Sequence, residues 1–453
     1  MNKINNTPSF NLPVRVELSY LQQISGLYFL NDVLFTGLAY DHREQKLHKV
    51  YQITQGKITA EDDYGFFKYH SPIKINYDVI EEEHDYDYEL FYQGKLFNGI
   101  TYCYCDGFVY MELFWVDGYV VETISWYPDG SGLIRYYEMN YTENRCKIEW
   151  NYKQLKMIDI MREQENISFN FNNNNQIKFC FLAVDNIAHL GNLVKRDDLP
   201  LPANNLTELL AHYPLADEIK INIQRNDNFD YFINHTHFRA IKKLQLSTVH
   251  LSLPVLTQLM ELPNLTSIFF KESGITDYDL NRLPAQERTS KQQQCDERNH
   301  ALLTLLLAIQ AKRHCQIRLD SNSGLWFDYS PVNGKIIADI NQSNFQFLLQ
   351  NLPLDKITQL DLRQRGFPIA LLIQLAQFTH LKSLTIEEKK DYSLNEEALD
   401  KQAKALIYQQ REQRNQEVWA YLKTLQLQLH CDIKMISDTA QVFERRYQSY
   451  LTH

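Results

Sequence analysis

No stretch of the 453-residue chain approaches the roughly 20 consecutive apolar residues that a bilayer-spanning helix needs. The opening residues, Met1-Asn-Lys-Ile-Asn-Asn-Thr-Pro8, lack the apolar core of a secretory signal, so export by that route is not expected. Cysteine is sparse. Seven thiols in a long chain without such a signal point to a reduced, cytoplasmic protein. A basic excess is missing too. A net charge of -10 argues against nucleic-acid binding, which needs cations for the phosphates, and suits a basic protein partner. The usual catalytic signatures are also absent: no Walker loop, no G-x-G-x-x-G, no H-E-x-x-H and no G-x-S-x-G. The expectation is a protein that is not an enzyme, with no catalytic residue, no cofactor and no metal.

What the chain has is repetition. Ile241-Lys-Lys-Leu244-Gln-Leu246 returns as Leu265-Thr-Ser-Ile268-Phe-Phe270, a step of 24 residues. Both return 116 residues on, as Ile357-Thr-Gln-Leu360-Asp-Leu362 and Leu381-Lys-Ser-Leu384-Thr-Ile386. His314-Cys315-Gln-Ile317-Arg-Leu319 reappears as His430-Cys431-Asp-Ile433-Lys-Met435. A repeated unit of this size cannot bury its apolar face alone, so stacking is expected, and stacked repeats mostly bind other macromolecules. The Leu-x-x-Leu-x-Leu pattern followed by Leu251–Glu261, or by Ile369–Phe378 in the second copy, resembles the leucine-rich repeat. That resemblance implies short parallel strands, each followed by a helix. The asparagine usual at the repeat turn is missing, with Thr248 and Gln364 near its place. Two long helical segments, about 277–313 and 394–429, share the pairs Arg298-Asn299 and Arg414-Asn415.

The first half repeats at a different interval, 62 residues. Leu34-Phe35-Thr-Gly37-Leu-Ala-Tyr40 aligns with Leu96-Phe97-Asn-Gly99-Ile-Thr-Tyr102, and Gly56 with Gly118. Alternation such as Val109-Tyr-Met-Glu-Leu113-Phe-Trp115 suits strands with one covered face. Gln93-Gly94, Asp106-Gly107, Asp117-Gly118 and Asp129-Gly130 read as hairpin turns. Gly94-Lys-Leu-Phe-Asn-Gly99, these turns and Trp126-Tyr-Pro-Asp-Gly130-Ser-Gly132 resemble MORN-type repeats over about residues 25–150. The resemblance implies a twisted hairpin array of the kind frequent in bacterial antitoxin and immunity proteins.

The expected fold is therefore multidomain α+β. An antiparallel β-hairpin, MORN-like array over 1–195 is joined at Lys195–Asn205 to an α/β leucine-rich-repeat-like solenoid over 206–453, with copies at about 215–320 and 334–436. The expected function is an immunity protein whose partner is a cognate, basic protein toxin. The alternative is an interaction scaffold or translocated effector binding a cellular protein.

Candidate contact residues lie in the stretch Tyr77–Tyr92, where seven carboxylates alternate with tyrosines. Glu81, Glu82, Glu83, Asp85, Tyr86, Asp87 and Tyr88 could pair with the cations of a toxin, carboxylate to guanidinium or ammonium. The other reading is a solvated loop between the two β repeats. Trp115 and Trp126 are either anchors on an exposed sheet face or core residues, the second being commoner. Cys103-Tyr-Cys105 places both thiols on one strand face, more in keeping with packing than with a metal. His314-Cys315 and His430-Cys431 are equivalent positions of different copies, expected far apart. His235-Thr-His237 reads as a helix end or loop.

Overall fold

The computed structural model describes residues 13–62, 73–82, 89–129, 132–139, 145–151, 154–162, 165–183, 206–234, 236–248, 251–273, 277–321, 325–339, 341–364, 369–388, 400–437 and 442–445. The junction expected at Lys195–Asn205 lies outside these residues. Two compact units divide the chain, Met1–Ala216 and Asp217–His453.

The described chain is mostly one large mixed sheet of 23 strands with few helices. This overturns the expected pairing of an antiparallel hairpin array with a helix-rich, leucine-rich-repeat-like solenoid. Two physical causes stand out. In the first unit, strands from the two 62-residue copies cross over and pair with each other rather than stacking hairpin on hairpin. In the second, the segments expected as convex helices manage one helical turn. Leu253–Leu256 is followed by a 3-10 stretch, Thr257–Glu261, and Ile369–Ile373 by Gln374–Gln377. The tighter 3-10 turn is the usual form of such short connectors.

In the first unit each copy opens with a short strand laid parallel to the first arm of a hairpin. Val14–Glu17 pairs with Gly37–Arg43, and Lys74–Asn76 with Gly99–Cys105. The second arms are Lys46–Thr54 and Phe108–Val116. The copies then complete one another: Val16 pairs antiparallel with Phe108, and Ile75 with Lys46. Glu17 N–H donates to the Gly107 carbonyl at 2.8 Å, and Asn76 N–H to that of Gln45 at 3.1 Å. Such reciprocal contact is the signature of a two-fold relation, as in an isologous dimer. Internal bonds repeat as well. Phe35 N–H donates to Tyr28 O and Phe97 N–H to Leu90 O, at 3.0 and 2.9 Å. Gly37 and Gly99 sit where the opening strand comes closest. A Cβ would lie 2.3 Å from Val14 O in one and 2.4 Å from Ile73 O in the other.

Six antiparallel strands follow: Tyr119–Trp126, Leu133–Met139, Arg145–Asn151, Gln154–Arg162, Glu165–Phe171 and Ile177–Ala183. Their register aligns Ile124, Tyr136, Ile148, Ile158, Phe169 and Cys180 in one fully buried row.

In the second unit Lys243–Thr248, Ser267–Glu272 and Gln316–Asp320 are parallel. Trp326–Ser330 reverses the direction, and Lys335–Asp339, Gln359–Gln364, Ser383–Glu388 and Asp432–Ile436 resume it. Two 29-residue helices, Ala285–Arg313 and Lys401–Leu429, pack their C-terminal halves on the sheet. Both end on a histidine in the left-handed conformation, His314 at φ 53° and His430 at φ 55°. Each donates its N–H to the carbonyl four residues back, at 2.7 and 2.8 Å. A left-handed residue at this point is a common way to end a helix. Cys315 and Cys431 follow, each 1% exposed, so the repeated His-Cys pair is a cap and a core residue. Buried asparagines recur at the same interval: Asn228 with Asn344, and Asn299 with Asn415.

Candidate functional site

The acidic stretch is not a link between the β repeats. Its described ends pair with each other inside the second copy, Glu82 with Leu90 and Glu81 with Phe91. In the first copy Ile24 pairs with Leu27 across the turn Ser25-Gly26, whereas in the second Glu82 pairs with Leu90. Glu81 and Glu82 contribute backbone to a short strand. Glu83, Asp85, Tyr86, Asp87 and Tyr88 lie outside the described residues. Beyond them Glu89 Oε1 accepts from Tyr119 Oη at 2.5 Å.

Trp115 and Trp126 are not surface anchors, being 5% and 1% exposed. The Trp115 ring stacks on Tyr77 and donates Nε1–H to Thr101 Oγ1 at 2.9 Å. The Arg15 guanidinium carbon lies 4.1 Å from the centre of the Trp126 ring. Both tryptophans fall on the covered face because large rings bury the most apolar area there. The two thiols of Cys103-Tyr-Cys105 differ in exposure: Cys103 is buried, while Cys105, the last strand residue before the Asp106-Gly107 turn, is exposed. Among the described residues no group of three or more His, Cys, Asp or Glu side chains is placed to hold a metal. The backbone of His237 belongs to the 3-10 turn Thr236–Ala240, and His235 lies outside the described residues.

The surface best built for recognition is the uncovered face of the second unit's sheet. Strand alternation sends Leu244, Leu246, Ile268 and Phe270 inward. The residues between them point out and line up by register. One row reads Gln245, Phe269, Arg318, Asp328, Ile337, Asp361, Thr385 and Lys434. Trp326 and Arg363 lie in the next row, joined by way of Asp339. Adjacent strands hold such side chains about 4.8 Å apart.

Within this face the charges are pinned. Arg318 Nε donates to Asp328 Oδ2 at 2.8 Å, and Gln316 Nε2 to Oδ1 at 2.9 Å, so both carboxylate oxygens are engaged. Arg363 Nε lies 3.2 Å from Glu387 Oε2, and Lys271 Nζ 3.4 Å from Asp320 Oδ2. Asp361 differs. Its Oδ1 is buried and accepts no hydrogen bond among the described residues. Burial pushes its carboxyl above the usual range, and Glu387 adds to the rise, while Arg363, Lys335 and Lys434 oppose it.

This face went unnoticed in the sequence, although its signal was present. In Gln359-Leu-Asp361-Leu-Arg363 the leucines declare a core strand, and the residues between them declare its other face. What the sequence withholds is which outward residues become neighbours across strands.

Comparison with known proteins is sparse. No family model matches the chain, and no curated protein matches it. Among solved structures, S. aureus TarM in complex with fondaparinux, alpha-GlcNAc-glycerol and UDP aligns at 11% identity and TM-score 0.15, over 93% of this chain and 59% of its own. A second TarM structure aligns at 12% identity and TM-score 0.16, over 91% and 62%. The chain thus spans about 60% of the length of these proteins. Neither score reaches the level of a shared fold. Among the described residues no helix is long and apolar enough to cross a membrane.

Proposed function

We propose that this chain is an immunity protein, an antitoxin that binds a bacterial protein toxin and occludes it through the open sheet face of Asp217–His453. The observation that supports this reading is the row from Gln245 to Lys434, where aromatic, charged and hydroxyl groups are fixed by strand register. Side chains held on a rigid sheet lose little freedom on binding, so more of the contact energy becomes affinity. Phe269 offers apolar contact beside Arg318, and Asp361 offers a carboxylate short of partners. The net charge of -10 favours a basic toxin and speeds encounter. The carboxylates of Glu81–Tyr88 add to that long-range attraction.

The test is a pull-down of the tagged full chain from its native lysate at moderate and high salt, read by mass spectrometry. One stoichiometric partner with a toxin-like domain, lost on Phe269→Arg or Asp361→Arg, is the expected result. Several housekeeping proteins would favour a scaffold or translocated effector. A stoichiometric partner that both variants retain would remove this face from the reading.

A further inference from the structure

We propose that a groove on the helical side of the second unit binds an arginine side chain of a basic protein partner. The inference rests on the binding-protein reading above and places a second contact away from the sheet face.

The groove lies between the first long helix, Ala285–Arg313, and the helix Gln342–Asn351, and has a volume of about 490 Å³. Arg288, Gln292, Asp296, Glu297, His300 and Ser343 line it. The walls are fixed by three contacts. Asn341 Nδ2 donates to Asp296 Oδ1 at 2.9 Å. The His300 ring lies flat on Phe347, with centroids 4.4 Å apart and planes 8° apart. Ser343 Oγ and His300 Nε2 lie 3.5 Å apart.

These contacts leave one kind of chemistry open. Gln292 Nε2 also donates to Asp296 Oδ1, at 3.1 Å, so that oxygen is saturated and the carboxylate is held in orientation. Among the described residues Asp296 Oδ2 accepts nothing. Glu297 Oε1 takes Gln293 Nε2 at 2.9 Å, and Oε2 likewise accepts nothing. The groove therefore offers two free carboxylate oxygens beside a flat, supported imidazole. A guanidinium is planar, weakly hydrated and forked, so it stacks on such a ring while bonding a carboxylate. An ammonium meets the charge but neither the plane nor the fork. The one cation of the lining, Arg288, donates Nη2–H back to the Leu283 carbonyl at 3.1 Å.

The second copy lacks these features. The equivalents of Asp296 and His300 are Glu412 and Gln416, and Gln416 Nε2 donates to Glu412 Oε1 at 2.9 Å. There the carboxylate is met from within its own helix and no imidazole stands beside it.

The test uses the isotope-labelled full chain and N-acetyl-arginine amide as the probe, following the backbone amide resonances of Gln292, Asp296 and Ser343. Saturable shifts are expected, in the millimolar range for so small a ligand. Binding should be about fivefold or more weaker for N-acetyl-lysine amide and undetectable for the uncharged citrulline analogue. Asp296→Asn should weaken it about tenfold or more, and His300→Gln should remove the preference for arginine over lysine, with the urea midpoint reported for each. Equal binding of the citrulline analogue, or unchanged binding by both variants, would overturn the proposal. No toxin is needed for this measurement. A pull-down that yields no partner while arginine amide still binds would count against the toxin and leave the groove standing.

Discussion

Tyr40 and Tyr102 hold the same place in two copies 62 residues apart, and they meet edge to face with ring centroids 5.4 Å apart. Their neighbours repeat the relation: Tyr104 Oη lies 2.9 Å from His42 Nδ1, again 62 positions away. Equivalent residues that meet where the copies pair reciprocally and antiparallel mark a local two-fold axis between them. The symmetry breaks at Glu112, whose counterpart is Val50. Tyr40 Oη donates to Glu112 Oε1 at 2.7 Å, with both side chains fully buried. Tyr40→Phe should therefore cost about 1.5–3 kcal/mol, the range for a buried bond to a charged group. Urea unfolding of the full chain measures it, and a loss below about 0.5 kcal/mol would mean that water or another donor replaces the phenol.

The opening strands should tolerate no added carbon beneath them. Gly37→Ala and Gly99→Ala would each force a methyl group against a strand carbonyl at 2.3–2.4 Å. Each change should destabilise by roughly 1–3 kcal/mol, and by similar amounts because the two cradles match. Thermal midpoints of the two variants, measured side by side, decide whether the cradles are as alike in energy as in geometry.

His42 predicts an acid-side loss of stability. Burial lowers its pKa from 6.5 to about 4, with Asp41 partly opposing the shift. The unfolded chain thus binds a proton at a pH where the folded chain does not. This linkage is unfavourable to the fold as pH falls from about 6.5 through 4, and stability returns as pH rises. The full effect is on the order of 3 kcal/mol. His42→Gln should flatten urea midpoints between pH 4 and 7. A slope unchanged by that substitution would assign the acid sensitivity to other groups.

Arg298 clamps a carboxylate that sees no solvent. Its Nη2 lies 2.6 Å from Glu272 Oε1 and 2.6 Å from the Leu251 carbonyl, and the Glu272 side chain is 0% exposed. Arg298→Ala should cost about 3–5 kcal/mol, because a charge would stay buried without its guanidinium. Arg298→Lys should recover less than half, since an ammonium cannot reproduce the fork. Full recovery by lysine in chemical denaturation would reduce the clamp to a simple charge effect.

The acidic stretch Glu81–Tyr88 should affect the rate of partner capture more than its persistence. Replacing Glu81, Glu82, Asp85 and Asp87 together by Ser should slow association about tenfold at low salt and leave dissociation nearly unchanged. Stopped-flow association over a salt series with the captured partner reads both. An association rate and salt slope identical to those of the parent chain would remove the stretch from the encounter.

Much of the local structure was legible because it depends on neighbours in sequence. The turns at Asp106-Gly107 and Asp117-Gly118 have positive φ at both residues, as their composition implied. Leucines two apart, such as Leu244 and Leu246, did mark a buried strand face. What failed was whatever depends on distant partners. Nothing in Val14–Glu17 announces that it will pair parallel with its own hairpin and antiparallel with Phe108. Trp115 and Trp126 favoured core over anchor in the sequence, but the choice waits on the register of Phe108–Val116 and Tyr119–Trp126. Cys105 is exposed where Cys103 is buried because its strand ends there, at the Asp106-Gly107 turn. Thr248, noted where an asparagine was missing, does close its turn: its Oγ1 accepts from Leu251 N–H at 3.3 Å.

The crossed strands of the first unit also bear on how the chain comes to be folded. Val16 finds its antiparallel partner only at Phe108, and the second pairing between the copies, of Lys46 with Ile75, also waits for the second copy. A growing polypeptide that has emerged as far as Asp62 therefore carries a finished hairpin beside a Val14–Glu17 strand whose outer edge is bare. It must keep that edge from strangers until the second copy arrives. Synthesis adds about 5–20 residues per second, so the wait lasts several seconds. An exposed edge over that time invites pairing with any other nascent strand. Expression yield should therefore respond to translation speed and chaperone supply through this one pairing, before any question of the finished protein's stability arises.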